Sequence, residues 1–306
     1  MSAPAVSVVI PAYNAAAFIA RTLDSVRAQT YRDFEVVVVD DGSADATHDA
    51  VTAYLSTHGL VGNCIKQANK RIAGARNTGL RAARGAYVAL LDHDDSWKPD
   101  KLEKTMAEAR RHPDAVLIGH HITVVDEAGR RLRLLRKGPA SPRMYERLLL
   151  GGNAVSPSAA VFKTSEALAI GGFREEPQFN TVEDYDFWMR LSQRGPFVFL
   201  DEALADYTVV EGSASRRIEY HHQNLEALLR DHFARHFGPA PGLAARWAMR
   251  RRLAAASRST LAELLRSGQD PALARRYALS MLRQDPFAFK NLGRAAQWLL
   301  GLRQMS

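Results

Sequence analysis

Residues 6–10 (VSVVI) and 34–39 (FEVVVV) are short apolar runs rich in β-branched side chains, and each stops at a turn signal: Pro11 for the first, Asp40-Asp41-Gly42-Ser43 for the second. Runs of this length and composition predict buried strands. Between them the apolar spacing changes to three and four. Phe18, Ile19, Leu23 and Val26 share one helical face, 46–55 gives a second helix and 73–83 a third, with a weak strand at 64–66. Gly85 then leads into residues 87–91, a fourth apolar run, which meets Asp92, Asp94 and Asp95. Strands alternating with helices predict βαβ units, and apolar strands without polar alternation predict a sheet covered on both faces. The expected fold is α/β, with a mostly parallel central sheet and helices on both faces.

The second half is mixed. Pro99 suits the first turn of a helix to about Arg111, and Asp95 or Ser96 is a candidate cap before it. Strands are predicted at 116–125, 132–135 and 159–162, and at 197–200 and 204–209 as two separate pieces. A short helix runs to Leu150, and Gly171-Gly172 marks a close-approach turn. A helix over 182–193 presents Phe187, Trp188 and Leu191 on its apolar face. From Arg216 onward the pattern is helical only, with helices over 219–237, 243–265, 271–282 and 287–300. The expected domains are 1–212 and a helical C-terminal extension over 213–306.

Composition narrows this little, but charge does more. Hydrophobic content of 46% is that of a soluble globular protein. The single cysteine, Cys64, excludes an intramolecular disulfide and leaves no Cys-based zinc site to expect; it suits a reducing compartment. No cation precedes the apolar start, and no run reaches a membrane span of about 18 residues. A cytoplasmic protein is expected. The net charge is +8, yet 213–306 carries 16 Lys+Arg against 6 Asp+Glu, and 1–212 carries 25 against 27. Arg246, Arg250, Arg251 and Arg252 flank Trp247 and Met249, with Trp298, Leu299 and Leu300 near the end. Two readings stay open: a basic amphipathic surface for an anionic membrane, or a helical cap with a solvated arginine face.

Several features could carry chemistry. Asp92, Asp94 and Asp95 repel one another unless a proton or cation offsets them, and a hard divalent ion is the usual partner. A solvated acidic turn is the alternative. The strand ends 11–14 and 40–43 fall side by side if their strands are neighbours, which puts Tyr13 in reach of a base and Asp41 in reach of a base or ribose; a turn or helix-cap role for Asp41 is the other reading. Arg76, early in a helix, suits a phosphate or a plain surface. Glu183 and Asp184 open a helix, where they complement its dipole or supply a general base. His120-His121 and His221-His222 are adjacent pairs, poorly placed to chelate, and structural roles are expected. There is no Gly-x-Gly-x-x-Gly after the first strand and no Walker A sequence.

In combination, residues 5–212 resemble the family 2 glycosyltransferases, with their GT-A nucleotide-sugar fold. The resemblance rests on Val6 through Tyr13-Asn14, Val38-Val39-Asp40-Asp41-Gly42-Ser43, Ala75-Arg76-Asn77-Thr78-Gly79, Leu91-Asp92-His93-Asp94-Asp95, Gly171-Gly172-Phe173 and Glu183-Asp184-Tyr185-Asp186-Phe187-Trp188. It implies inverting transfer from a nucleotide diphosphate sugar, most commonly a UDP-sugar, to an acceptor hydroxyl in polysaccharide or glycolipid synthesis. It also implies a Mn²⁺ or Mg²⁺ cofactor. Carried to matched positions, Pro11 and Tyr13 hold the base, Asp41 reads it and Arg76 lies on the diphosphate side. Asp92-His93-Asp94 is the Asp-x-Asp motif: Asp94 ligates the metal, Asp92 contacts ribose or a metal-bound water, and Asp95 is an auxiliary candidate. Asp184 is the catalytic base, with Glu183 the next choice, and Gly172 and Phe173 lie on the acceptor side. A glycan or lipid-linked acceptor is implied, with peripheral contact at the inner membrane face through the basic helices. A nucleotidyltransferase would need a Gly-rich basic loop where Pro11-Ala12-Tyr13-Asn14 stands. A nucleic-acid-binding protein would need a helix-turn-helix, RRM or zinc motif, and none is recognisable, so no specific nucleic acid is expected.

Overall fold

In the computed structural model, which describes residues 3–209, 218–267, 270–288 and 293, the two valine-rich runs lie next to each other in one sheet. The elements alternate as β1 (Val6–Ala12), α1 (Ile19–Arg27), β2 (Phe34–Asp40), α2 (Thr47–Thr57), β3 (Gly62–Lys66), α3 (Arg71–Ala82) and β4 (Tyr87–Leu90). All seven residues of β1 and all seven of β2 are buried, which is why neither shows polar alternation. A mixed series follows: β5 (Ser96–Trp97), α4 (Lys101–Arg111), β6 (Leu117–Val125), β7 (Arg131–Leu135), α5 (Met144–Gly151), β8 (Ala160–Lys163), α6 (Thr164–Ala169), α7 (Glu183–Leu191) and β9 (Phe197–Thr208).

The sheet order is β3-β2-β1-β4-β8-β6-β9-β5, with β7 paired to β6. The first four strands are parallel, and β8 reverses the direction against β4. Strand β6 is antiparallel to β8 and parallel to β9. The α/β expectation therefore holds, with the parallel order concentrated in the first half. Val6, Val8, Ile10, Val36 and Val38 pack with Ile19, Leu23 and Val26 of α1 in the main core. Helix α3 lies on β1 and β2, and Gly79 is its point of closest approach: a Cβ there would stand 2.3 Å from Val9 Cγ1.

Two local expectations are corrected. The two separate strands at 197–200 and 204–209 are one strand, β9. His120 pairs with Leu200 and His121 with Ala203, so Asp201 and Glu202 form a bulge that reads as a break in sequence. Helix α4 starts later than Pro99 implied, with Asp100 at its N-cap, and neither Asp95 nor Ser96 caps it.

The chain divides into two units. One comprises Met1–Leu148, Asn153–Glu175 and Glu183–Ser213; the other comprises Leu149–Gly152, Glu176–Val182 and Ala214–Ser306. The second contains α8 (Ile218–Phe237), α9 (Leu243–Ser267) and α10 (Pro271–Gln284). Leu261 and Leu264 of α9 share a core with Tyr277, Ala278 and Met281 of α10. Asp270 caps the start of α10 by accepting from the N–H groups of Ala272 and Leu273. At the other end, Arg250 donates through NH2 to Arg283 O at 2.8 Å and through Nε to Gln284 O at 3.2 Å, and Arg251 faces Asp285 at 3.7 Å. Arg252 is buried. Part of the basic run is thus spent on the carbonyl end of a helix. The helix expected over 287–300, with Trp298, Leu299 and Leu300, lies outside the described residues apart from 287, 288 and 293.

Gly79→Ala should destabilise the first unit by about 1–3 kcal/mol, the usual range for overpacking a filled core, read as a lower midpoint in urea unfolding.

Candidate active site

The site forms where β1, β2 and β4 end, the position at which open α/β sheets hold ligands. Pro11 is paired with Val39 and Ala12 with Asp40, and Asp41 N donates to Ala12 O at 2.8 Å. The two strand ends therefore lie side by side, as their sequences required. Pro11 is buried, while Tyr13 is 49% exposed and free to meet a ligand face. Asp41 is buried and does not cap α2. Its Oδ1 accepts from Gln67 Nε2 at 2.6 Å and Lys70 N at 2.9 Å. Gly42, at φ +76°, makes this approach feasible, since a Cβ there would stand 2.9 Å from Asn69 N.

The acidic loop after β4 is clamped from two sides. From α1, Thr22 Oγ1 lies 2.7 Å from His93 O and 2.8 Å from Asp95 O, and Arg21 NH2 donates to Asp94 O at 2.8 Å. From the turn at Pro157–Ala159, Ser158 Oγ accepts from Asp92 N at 3.1 Å and donates to Asp95 Oδ2 at 2.5 Å. Thr208 N donates to Asp95 Oδ1 at 3.2 Å. Asp95 is thus a buried anchor of the loop, and burial followed by repulsion from Asp92 and Asp94 raises its pKa well above the usual carboxylate range. Asp92 and Asp94 are half-buried. His93 Nδ1 lies 3.2 Å from Pro11 O and ties the loop to β1.

Arg76 joins this loop to α7. It is buried on α3, with NH2 donating to Asp92 Oδ1 at 2.9 Å and NH1 to Glu183 Oε1 at 2.7 Å. Its Nε and Glu183 Oε2 are buried with no hydrogen-bond partner among the described residues. Burial, aided by Asp184 and Asp92, lifts Glu183 to about 7 in spite of Arg76. The next residue on α3, Asn77, forms a reciprocal pair with the Phe173 backbone: Nδ2 donates to Phe173 O at 2.8 Å and Oδ1 accepts from Phe173 N at 2.7 Å. Gly172, at φ +70°, admits this, because its Cβ would stand 2.4 Å from Asn77 Oδ1. Phe173 in turn stacks on Phe187 of α7 at 4.0 Å.

Asp184, one residue beyond Glu183, is half-buried and accepts from Asn153 Nδ2 at 3.2 Å. The structure therefore gathers Asp92, Glu183 and Arg76 directly, brings Phe173 to α7, and places Asp184 next to Glu183. Pro11 is the penultimate residue of β1, and Tyr13 and Asp41 directly follow the ends of β1 and β2. Sequence reasoning missed Arg21, Thr22, Asn153 and Ser158, lone polar residues whose neighbours are remote in the chain. The His120-His121 pair makes structural contacts: His120 Nδ1 lies 2.8 Å from His121 O, and His121 Nε2 lies 2.8 Å from Asp201 on the bulge.

Among the described residues, no three His, Cys, Asp or Glu side chains are gathered as a metal-ligand set. Asp95 is spent on Ser158 and Thr208, which leaves Asp92 and Asp94 as hard oxygen donors. Asp94 is raised by burial and by Asp92, so a cation there would relieve its charge. That donor set fits Mg²⁺ or Mn²⁺ of the kind held by one or two carboxylates, waters and substrate phosphates.

A family model described as Glycosyl transferase family 2 matches residues 7–165. Chondroitin synthase of Escherichia coli is 33% identical over 199 residues, 65% of this chain, and the chain spans only 28% of that protein's length. The amylovoran biosynthesis glycosyltransferase AmsB of Erwinia amylovora is 34% identical over 212 residues, covering 67% of this chain and 69% of AmsB. Among solved structures, S. aureus TarS 1-349 in complex with UDP-GlcNAc has the same fold, with a TM-score of 0.66 at 19% identity, covering 97% of this chain and 92% of that one.

The raised Glu183 sets a pH dependence. Between its ordinary value of 4.5 and about 7 the folded chain keeps a proton that the unfolded chain has lost, so this group makes stability fall as pH rises through that window. Chemical denaturation across pH 4.5–8 should show the fall, and Glu183→Gln should flatten it.

Proposed function

Because the chain belongs to glycosyl transferase family 2, we propose that it transfers a sugar, with inversion, from a nucleotide diphosphate sugar to an acceptor hydroxyl. One observation carries this reading: the buried Arg76 ties Asp92 of the acidic loop to Glu183 at the start of α7, beside Asp184. A donor-side carboxylate and a candidate base thereby share one rigid support. The UDP-GlcNAc bound to TarS supports a UDP-sugar as donor, and the names of AmsB and chondroitin synthase support polysaccharide or glycolipid synthesis with a glycan or lipid-linked acceptor.

In this reading Tyr13 lies against the base, beside the buried Pro11, and Asp41 reads it through the carboxylate oxygen that Gln67 and Lys70 leave free. Arg76 orients Asp92 toward ribose and lends its charge to the diphosphate side. Asp94, with Asp92, would hold Mn²⁺ or Mg²⁺, which when bound offsets charge on the leaving diphosphate. Asp184 takes the acceptor proton as the hydroxyl attacks the anomeric carbon, and must come within about 3 Å of that hydroxyl. Asn153 keeps its carboxylate aimed. Glu183, buried against Arg76, supports this geometry, and Gly172 and Phe173 border the acceptor. Residues 1–212 form the catalytic domain in this reading and 213–306 a helical extension. Among the described residues no helix is long and apolar enough to cross a membrane.

Asp184→Asn should lower turnover by about 10²–10⁴-fold, the usual worth of a general base, while UDP binding by calorimetry stays near wild type. Near-normal turnover would move the base elsewhere, first to Glu183. Asp94→Ala, or a chelator added to the wild type, should weaken Mn²⁺-dependent UDP binding; UDP binding equally tight in chelator would remove the metal role.

A further inference from the structure

The segment carrying Lys137 is fixed in place with unusual completeness. Lys137 N donates to His121 Nδ1 at 3.1 Å, and Gly138 N donates to Ala154 O at 2.9 Å. Arg147 Nε donates to Pro139 O at 2.9 Å, and its NH2 reaches Gly138 O. Gly138, at φ +80°, stacks against Phe199, where a Cβ would stand 2.8 Å from the ring. This backbone is therefore bonded to the residue next to Asn153, whose side chain holds Asp184.

The neighbouring cations are already committed. Arg136 faces Asp201 at 3.2 Å, and Arg147 is occupied by the two carbonyls. Lys137 differs: it is half-buried, it feels Asp184 electrostatically, and no carboxylate among the described residues closes an ion pair with its ammonium. Burial lowers its affinity for a proton, and the charge of Asp184 only partly restores it. A cation withdrawn from water without a counter-ion is costly, and such groups mark places where an anion arrives with a ligand. Asp92 and Glu183 already take both terminal nitrogens of Arg76, so the charge of Lys137 is free for something else.

We propose that Lys137 forms an oxyanion subsite beside Asp184, which receives a carboxylate or phosphate carried on a sugar ring of the substrate. This rests on the functional reading above and refines it: the enzyme selects an acidic sugar at the proton-accepting side of its site. The carboxylate could ride on the acceptor or on the transferred sugar, and both present the same chemistry to the ammonium.

The test is a calorimetric titration of the full chain, with and without UDP and Mn²⁺. The acceptor probes are methyl β-glucuronide, glucose 6-phosphate and methyl β-glucoside; the donor probes are UDP-glucuronate and UDP-glucose. Wild type should bind the charged member of at least one set about tenfold tighter than its neutral counterpart, the worth of one charge-assisted hydrogen bond. Lys137→Met should erase that preference and Lys137→Arg should keep most of it, each with an unchanged melting temperature. Preference within the acceptor set or within the donor set identifies which sugar carries the anion. No preference in wild type, a preference intact in Lys137→Met, or weaker binding of UDP itself in Lys137→Met would overturn the proposal; the last would make Lys137 a diphosphate contact. Failure of UDP to bind wild type would remove the functional reading, yet the acceptor comparison without nucleotide would still be read. Absence of any preference in wild type, with UDP binding intact, removes only the subsite.

Discussion

The Arg76 guanidinium is buried, and its terminal nitrogens hold two carboxylates supplied by distant stretches of chain: Asp92 after β4 and Glu183 at the head of α7. Removing one partner of such a buried group typically costs about 3–5 kcal/mol, because the remaining charges lose their compensation. The cost explains why the arrangement is specific. Each carboxyl group has one place where it meets the guanidinium, so the acidic loop and α7 have one relative position. Asn77, the following residue, extends the same logic to neutral groups by pairing both polar atoms of its amide with the Phe173 backbone. One turn of α3 therefore organises the acidic loop, α7 and the loop before it.

The acidic loop shows how the remainder is supported. Its carbonyls at 93, 94 and 95 are taken by Thr22 and Arg21, and its buried carboxylate by Ser158 and Thr208. Those anchors leave the Asp92 and Asp94 side chains unused, and Arg76 meets the first of them. The three acidic residues of this loop thus divide into one that holds it, Asp95, and two that do not. The difference comes from burial, since the three side chains are chemically identical.

Much of this was legible in sequence because it is local. The apolar runs gave the parallel strands, and the order of the polar stretches between them gave the family resemblance. What sequence could not supply depends on long-range pairing. Asp201 and Glu202 read as an interruption, because a bulge in one strand is defined only by its partner. Asp95 read as a helix cap because its true partners, Ser158 and Thr208, are remote. Arg250 and Arg251 read as part of a basic surface because nothing in their neighbourhood reveals the end of α10 that they meet. Thr22, Asn153 and Ser158 carry no signature, since a lone hydroxyl or amide acquires meaning only from its neighbour.

The reversal of strand direction at β8 has an evolutionary consequence. Strands β1 to β4 with their helices precede it in the chain, and the segments that follow supply Phe173, Glu183 and Asp184. Such an arrangement invites recombination, with a new second half joined to an old first half. The Arg76–Glu183 pair restricts that freedom. A transplanted second half that lacks an acid at the head of its helix would strand a buried cation in its host. Exchange should therefore succeed mainly between chains that share this one buried pair, however far their other loops have diverged.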